Sequence, residues 1–144
     1  MHEWALAEAV IATVIEESRK EGLEEIAKIT LKIGELQQMD TGIFEFALNE
    51  IAKVYGLPLL TGMKIELETE RAIFKCRICG REWKFSDTGL DMEEFEAIHF
   101  APEVAHAYVR CPSCKSPDFE VVQGRGVLIK SIKGSVSAQK SVDF

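Results

Sequence analysis

The sequence lacks the features that would point to a membrane or to a nucleic acid. No apolar run approaches the roughly 20 residues that a helix needs to cross a lipid bilayer. The first residues lack the basic segment of a secretory signal, since Glu3 and Glu8 flank the first apolar positions. Lys and Arg number 17 against 24 Asp and Glu, for a net charge of −7, whereas binding to phosphates needs positive charge. We therefore expect a cytoplasmic protein that binds neither membranes nor nucleic acids.

The four cysteines form two C-x-x-C pairs, Cys76 with Cys79 and Cys111 with Cys114. In the reducing cytosol such cysteines serve more often as metal ligands than as disulfides. A gap of two residues lets both sulfurs of a pair reach one cation, and two pairs supply a closed tetrahedral sphere. Such a sphere favours structural Zn²⁺ and argues against a metal-dependent hydrolase, which needs an open position. The spacing leaves iron, or a redox role for one pair, as alternatives.

Basic residues and two histidines surround the cysteine pairs. The basic cluster consists of Lys75, Arg77, Arg81, Lys84, Arg110 and Lys115. Four thiolates on Zn²⁺ leave a net charge of about −2, and these cations are expected to offset it. The long loop between the pairs contains His99 and His106. Either could replace a thiolate in a Cys₃His site, although a packed or hydrogen-bonded loop imidazole is the plainer interpretation.

The amino terminus offers a second set of metal ligands. Met1 is expected to remain, because an initiator methionine is normally removed only before a small residue and His2 is large. The Met1 α-amino group, the His2 amide nitrogen and the His2 imidazole can bind one metal in a plane. The Glu3 amide nitrogen or a second imidazole such as His99 could complete that plane. Square-planar nitrogen ligation suits Ni²⁺ or Cu²⁺, but one histidine is a weak signal and by itself favours an ordinary helix end.

The hydrophobic pattern predicts an α+β fold. Spacings of three and four predict a first helix over 2–20, with a stripe through Leu6, Val10, Thr13 or Val14, and Glu17. A second helix is expected from Asp40 or Thr41 to Val54, ended by Gly56. Alternation predicts strands near 28–33 and 63–70, and a third within 119–133. We predict two helices on one face of a small three-stranded sheet.

The same pattern predicts a division of the chain into modules. Residues 1–72 together with 118–134 are expected to form the α/β domain. Residues 73–117 are expected to form a zinc-ribbon-like module with two C-x-x-C knuckles. Residues 135–144 lack periodicity and are predicted to be a loose tail.

Several groups of residues together resemble the HypA-type hydrogenase nickel-incorporation proteins. They are Met1-His2-Glu3 with Leu6-Ala7 and Val10, Ile33-Gly34-Glu35-Leu36, Phe44 with Phe46-Ala47, both C-x-x-C pairs, and Gly126-Val127-Leu128-Ile129-Lys130. The resemblance runs from residue 1 to about residue 133. Met-His-Glu combined with two downstream C-x-x-C pairs is a specific pattern. The long loop between the pairs resembles the archaeal branch of the family.

The resemblance implies a nickel chaperone for [NiFe]-hydrogenase maturation, which is a carrier and not an enzyme. It implies that the α/β domain binds nickel through Met1, His2 and Glu3, with His99 as a further candidate. It implies zinc ligands at Cys76, Cys79, Cys111 and Cys114. The implied partners are a nickel-binding GTPase and the hydrogenase large subunit, and we expect them to dock on the exposed face of the first helix, which adjoins the nickel site.

A different class of function is the runner-up. The cysteine pairs also fit a zinc-ribbon adaptor of transcription or RNA processing, which would bind nucleic acid with a steep dependence on salt. The oligomeric state is open between a monomer and a domain-swapped dimer, because short hinges between modules permit swapping.

Overall fold

The computed structural model of the chain describes residues 3–37, 39–88, 90, 93–94, 96–97, 101, 105–137 and 140–144. They divide into two units. The first, here the helical unit, comprises Met1–Lys32, Met39–Glu68 and Val127–Phe144. The second, here the cysteine unit, comprises Ile33–Gln38 and Thr69–Gly126.

The described elements follow in this order. The helices are α1 (Glu3–Lys20), α2 (Thr41–Tyr55) and the short α3 (Ala105–Tyr108). The strands are β1 (Glu25–Gly34), β2 (Lys64–Glu70), β3 (Ile73–Cys76), β4 (Glu82–Lys84), β5 (Phe119–Gln123), β6 (Val127–Ser137) and β7 (Lys140–Asp143). Short 3₁₀ turns span Glu35–Gln37, Pro58–Leu60 and Phe85–Asp87. No helix in the described ranges is long and apolar enough to cross a membrane.

The helical unit packs α1 against α2 and a sheet with the strand order β2-β1-β6-β7. Asp40 caps α2 by accepting a hydrogen bond from the Ile43 N–H at 3.0 Å, and Gly56 ends it in the left-handed conformation with φ 61°. The buried side chains of α1 and β1 are mostly aliphatic, namely Ala7, Val10, Ile11, Val14, Ile15, Ile26, Ile29, Leu31 and Ile33. The α+β fold class predicted from the sequence is therefore confirmed.

The sheet of the helical unit has four strands, whereas the sequence predicted three. The predicted loose tail supplies the fourth, because β7 pairs antiparallel with β6 from Lys133 opposite Asp143 onward. The pairing extends to the last residue, where the Phe144 N–H donates to the Ile132 carbonyl at 3.1 Å. A short polar segment shows no alternation, yet its backbone groups find partners by folding back on β6.

The stretch predicted as the third strand divides between the two units. β6 joins the helical unit, whereas β5 pairs antiparallel with β3, with Phe119 opposite Cys76. Gly124 between them has φ 97°, and a Cβ atom there would lie 2.3 Å from the Ala72 Cα, so neither the turn nor the contact tolerates a side chain. The unit boundary therefore falls after Gly126 and not at residue 118 as predicted.

Residues 33–38 also group with the cysteine unit, although the sequence analysis assigned them to the first domain. The Gly34 N–H donates to the Gly126 carbonyl at 2.7 Å, and the Leu36 N–H donates to the Gly124 carbonyl at 3.0 Å. The Glu35 carboxylate accepts a hydrogen bond from the Ala72 N–H at 2.8 Å. These bonds hold the segment beside the two ends of the cysteine unit's chain.

Aromatic side chains form the core of the cysteine unit around the sheet β4-β3-β5. The Phe74 ring centroid lies 4.9 Å from that of Phe119, 5.7 Å from that of Trp83 and 5.8 Å from that of Phe85. Tilted and edge-on contacts of this kind add to the gain from burial. Two cysteines, Cys76 and Cys111, are buried in the same cluster.

Candidate metal centre

The structure brings the two C-x-x-C pairs together in the cysteine unit. The four Sγ atoms lie within 4.8 Å of one another. The Cys76 and Cys114 sulfurs are 3.5 Å apart, as are those of Cys79 and Cys111, and all four cysteines are free of disulfides. A Zn–S bond of about 2.3 Å implies tetrahedral S–S edges of about 3.8 Å, so the spacing fits one tetrahedral cation. Among the described residues these cysteines are the one group that could hold a metal ion.

Each C-x-x-C pair lies in a turn of the same design. The N–H of the first cysteine donates to the carbonyl five positions later, at 2.8 Å in the first turn and 3.0 Å in the second. The residue after the second cysteine has a left-handed backbone in both turns, Gly80 with φ 79° and Lys115 with φ 63°. This conformation is uncommon for a residue with a Cβ atom. Its presence at Lys115 indicates that the surrounding hydrogen bonds dictate the turn.

Backbone N–H groups point at the buried sulfurs. The Ile78 and Cys79 N–H groups donate to the Cys76 Sγ at 3.3 Å and 3.4 Å. The hydrogen bond from the Cys79 N–H is the main cause of a lowered pKa at Cys76. Such donors favour a thiolate over a thiol, and a thiolate is the form that binds metal.

The second turn divides its protons unequally between its two thiols. Burial raises the pKa of Cys111, but hydrogen bonds from the Cys114 and Ser113 N–H groups and from neighbouring thiols lower it to about 6. The Ser116 N–H lowers the pKa of Cys114, but the contact with Cys76, together with burial, raises it to about 12. Four sulfurs this close cannot all ionise without a cation, so metal binding must displace protons from this group.

His106 lies apart from the four sulfurs. Its Nδ1 is 2.9 Å from the Pro117 carbonyl oxygen, which fixes it as the donor of that bond. The imidazole packs over the Phe119 ring, with centroids 4.2 Å apart. This arrangement agrees with the packed, hydrogen-bonded loop imidazole that the sequence analysis considered, and it gives no support to a Cys₃His site through His106.

The predicted nickel ligands are described only in part. Met1, His2 and His99 lie outside the described residues. Glu3 is the first residue of α1, and its side chain is buried, with 7% exposure. Next to it, Trp4 meets Phe46 of α2 edge to face with centroids 6.1 Å apart, and both rings are about half exposed.

Sequence reasoning missed the aromatic residues that support the cysteine turns. Phe74 and Trp83 alternate with charged neighbours in β3 and β4, and Phe119 opens β5. That alternation is a strand signal that could have been read from Ile73-Phe74-Lys75-Cys76 and Glu82-Trp83-Lys84. The runs were too short to stand out beside the cysteines.

Comparisons with known proteins agree along the chain. A family described as "Hydrogenase/urease nickel incorporation, metallochaperone, hypA" matches residues 1–134. Hydrogenase maturation factor HypA of Pyrococcus horikoshii is 49% identical over 135 residues, which cover 92% of this chain and 95% of that protein. The protein of the same name from Thermococcus onnurineus is 46% identical with the same coverage.

Solved structures show the same fold. The solution structure of the Ni metallochaperone HypA from Helicobacter pylori has a TM-score of 0.62 at 20% identity, covering 92% of this chain and 96% of that one. A second solution structure, of a HypA protein, has a TM-score of 0.65 at 20% identity, covering 95% and 98%. At this identity the likeness concerns the fold alone.

Proposed function

The chain belongs to the HypA family of nickel-incorporation metallochaperones, and from this premise we propose that it carries Ni²⁺ for the maturation of [NiFe]-hydrogenase. The observation that carries the proposal is the family match over residues 1–134. The family resemblance predicted from the sequence is thereby confirmed. The match also favours a chaperone over the zinc-ribbon adaptor of transcription or RNA processing.

Nickel is the cargo, and we assign its site to the amino terminus. The Met1 α-amino group, the His2 amide and imidazole nitrogens and the Glu3 amide nitrogen form the proposed plane, with His99 as the alternative fourth ligand. Nitrogen donors in a plane suit Ni²⁺. A site at the start of a helix can open by fraying of the terminus, and a carrier must release its metal.

The four cysteines would hold Zn²⁺ as a structural ion. Their spacing fits tetrahedral Zn²⁺, and the N–H groups aimed at Cys76 favour the thiolates that such an ion needs. Bound there, zinc would cross-link the two turns and leave no coordination position for a substrate. A closed site of this kind supports a carrier that is not an enzyme, and free cysteines suit the cytoplasm.

The exposed aromatic pair gives the proposed partner surface its residues. Trp4 and Phe46 are 47% and 59% exposed, and Ile43 near the start of α2 is 46% exposed. A nickel-binding GTPase and the hydrogenase large subunit are the proposed partners, docking beside the amino-terminal ligands. Trp4→Asp should abolish binding of the GTPase without unfolding the chain, whereas a substitution of exposed Glu16, farther along α1, should not.

A calorimetric Ni²⁺ titration tests the nickel site. The untagged protein with its native Met1 is compared with His2→Ala, and His106→Ala serves as the matched control because His106 is an exposed histidine of the other unit. We expect one nickel bound by the wild type and by His106→Ala and none by His2→Ala, with zinc retained in all three. Equal nickel binding by His2→Ala would remove His2 from the site.

A second variant decides the fourth ligand. His99→Ala is titrated with nickel and followed by its visible d–d absorption. A shifted band and weaker binding are expected if the His99 imidazole completes the plane. An unchanged band and affinity would leave the position to the Glu3 amide.

A further inference from the structure

A positively lined cavity of about 310 Å³ lies in the cysteine unit beside the second cysteine turn. The residues that matter in its lining are Arg81, Trp83, Asp87, Tyr108, Arg110 and Lys115. Three of these are cations and one is an acid, although the whole chain carries a net charge of −7. A concentration of positive charge against the overall sign of a protein marks a place where an anion is attracted.

The cations of this cavity are not neutralised by carboxylates within the described residues. The Arg81 Nη1 donates to the Ser113 hydroxyl at 2.8 Å, and the Arg110 Nη1 donates to the His106 carbonyl at 2.7 Å. Both acceptors are uncharged, and Lys115 has no printed ion pair among the described residues. A guanidinium has five N–H donors in a rigid fork, so each arginine is held in place by one donor and keeps others for an oxyanion.

Another cation of the basic cluster behaves differently. Arg77, which does not line the cavity, pairs with the Asp118 carboxylate at 2.9 Å. The cluster therefore contains both a paired cation and the three that face the cavity. Offsetting the charge of metal-bound thiolates accounts for cations near the sulfurs, but not for their convergence on one cavity.

The indole of Trp83 supplies an independent observation. Trp83 is 8% exposed, and its Nε1–H is buried without a hydrogen-bond partner in the described part of the chain. A buried donor without an acceptor destabilises a folded protein and is rare. The ring itself is fixed by the Phe74 and Phe119 rings. An acceptor oxygen that reached the indole from the cavity would satisfy this donor.

From these observations we propose that the cavity binds a carboxylate side chain from an acidic segment of a partner protein. The guanidinium fork matches the two oxygens of a carboxylate. Asp87 in the lining opposes a second negative charge, which favours a singly charged carboxylate over a phosphate. Trp83 and the half-exposed Tyr108 offer apolar walls to the methylene groups of a glutamate. A volume of about 310 Å³ is at the small end for ligand sites, and it suits one side chain.

The indole resonances provide a direct test, because the chain has 2 tryptophans. The full-length, zinc-loaded, ¹⁵N-labelled protein is titrated with a synthetic peptide of alternating glutamate and glycine. The Trp83 Nε1–H signal should move in a saturable way, and the Trp4 signal in the helical unit should stay in place. A peptide with glutamine in place of glutamate should move neither. Signals are assigned with Trp83→Phe and Trp4→Phe.

Charge-neutralising variants locate the binding. Arg110→Gln combined with Lys115→Gln should weaken the glutamate peptide about tenfold, as expected for the loss of two charge-assisted contacts. Lys84→Gln is the matched control, since Lys84 is an exposed cation of the same unit outside the lining. Zinc content and spectral dispersion are measured for every variant to show that the unit is folded.

Several outcomes would overturn the proposal. A stationary Trp83 signal in the wild type would do so without any variant. Equal weakening by Lys84→Gln, or equal movement of the Trp4 signal, would mean diffuse charge attraction. Saturation by inorganic phosphate but not by the peptide would remove the carboxylate. Loss of zinc from the double variant, with no peptide binding by the wild type, would leave these cations serving the thiolates alone.

Discussion

The helical unit and the cysteine unit bury different kinds of side chain. The helical unit buries aliphatic residues between two helices of 18 and 15 residues and a four-stranded sheet. The cysteine unit has strands of three to five residues, and its core contains four aromatic rings and two cysteines. A small sheet buries too little apolar surface to be stable by itself. The comparison indicates that metal ligation is part of the core of one unit and foreign to the other.

Removing a cysteine ligand should break this comparison most strongly. Cys111→Ser places a weaker ligand at a fully buried position. Structural zinc contributes on the order of 10 kcal/mol to a small metal-bound fold, so the cysteine unit should unfold while the helical unit persists. In a ¹H–¹⁵N spectrum the Trp83 indole signal should collapse to the unfolded position and the Trp4 signal should remain. Ser113→Ala, in the same turn but without a thiol, is the control.

The result would count against the comparison if both indole signals collapsed together. The two units would then form a single cooperative body, and the metal would stabilise the whole chain. Zinc measured per chain must fall in Cys111→Ser and stay unchanged in Ser113→Ala for either conclusion to hold.

Truncating one phenylalanine in each core is the next largest effect. Phe74 and Phe44 are both fully buried, and Phe→Ala in a core costs about 3–5 kcal/mol. Phe74→Ala should speed the release of zinc to a coloured chelator, because the rings behind Cys76 lose their support. Phe44→Ala should lower the urea midpoint of the helical unit and leave zinc release unchanged. Faster zinc release in Phe44→Ala would contradict the division.

The same contrast explains which parts of the fold could be predicted. In the helical unit, α2 was predicted with its Asp40 cap and Gly56 stop, because both signals are local in sequence. In the cysteine unit, the two C-x-x-C pairs gave the candidate centre directly, since spacing alone places both sulfurs of a pair on one cation. Local chemistry of this kind needs no knowledge of distant contacts.

The buried face of α1 was predicted only in part. The predicted stripe ran through Leu6, Val10 and Glu17, whereas the buried residues include Ala7, Val10, Ile11, Val14 and Ile15. Alanine fits either side of a helix, and α1 has both buried and exposed alanines, so the phase of the stripe is weakly encoded. Packing against α2 decides it.

Strand pairing over long separations could not be predicted. β5 pairs with β3 across the whole loop between the cysteine pairs, and β7 is a short polar strand. Neither partner choice is written in the alternation of a single segment, because hydrogen bonding to a neighbour depends on where the chain returns. For the same reason the meeting of Arg81, Trp83 and Lys115 around one cavity was invisible beforehand.

Acidity should separate the two units by an intermediate effect. Zinc must displace protons from thiols such as Cys114, whose pKa is raised to about 12, whereas the lowered pKa of Cys111, about 6, leaves it ionised near neutral pH. Cys79 also has a raised pKa, because the Cys111 thiol and burial outweigh the Arg81 N–H that lowers it. Release of about two protons means that zinc affinity falls about a hundredfold per unit of falling pH near neutrality.

A competition titration with a chelator at several pH values measures this slope, and a flat profile would contradict it. The helical unit should respond in a different window. There the hydrogen bond from Lys28 lowers the pKa of Glu66 below its ordinary value of 4.5. A lowered pKa stabilises the fold above that value, and the contribution is lost as the pH falls through the lowered pKa. The urea midpoint of the helical unit should therefore stay level near neutrality.

The smallest expected effect tests whether the helical unit is stabilised by its own local signals. Asp40 accepts a hydrogen bond from the Ile43 N–H at the start of α2, and loss of such a cap costs about 1 kcal/mol. Asp40→Ala should lower the urea midpoint of the helical unit, and Asp40→Asn, which keeps an acceptor oxygen, should nearly restore it. Zinc release should be the same in both variants, because α2 belongs wholly to the helical unit. A parallel loss of zinc from Asp40→Ala would mean that even this weak local change reaches the cysteine unit, and the two units would have to be treated as one folding body.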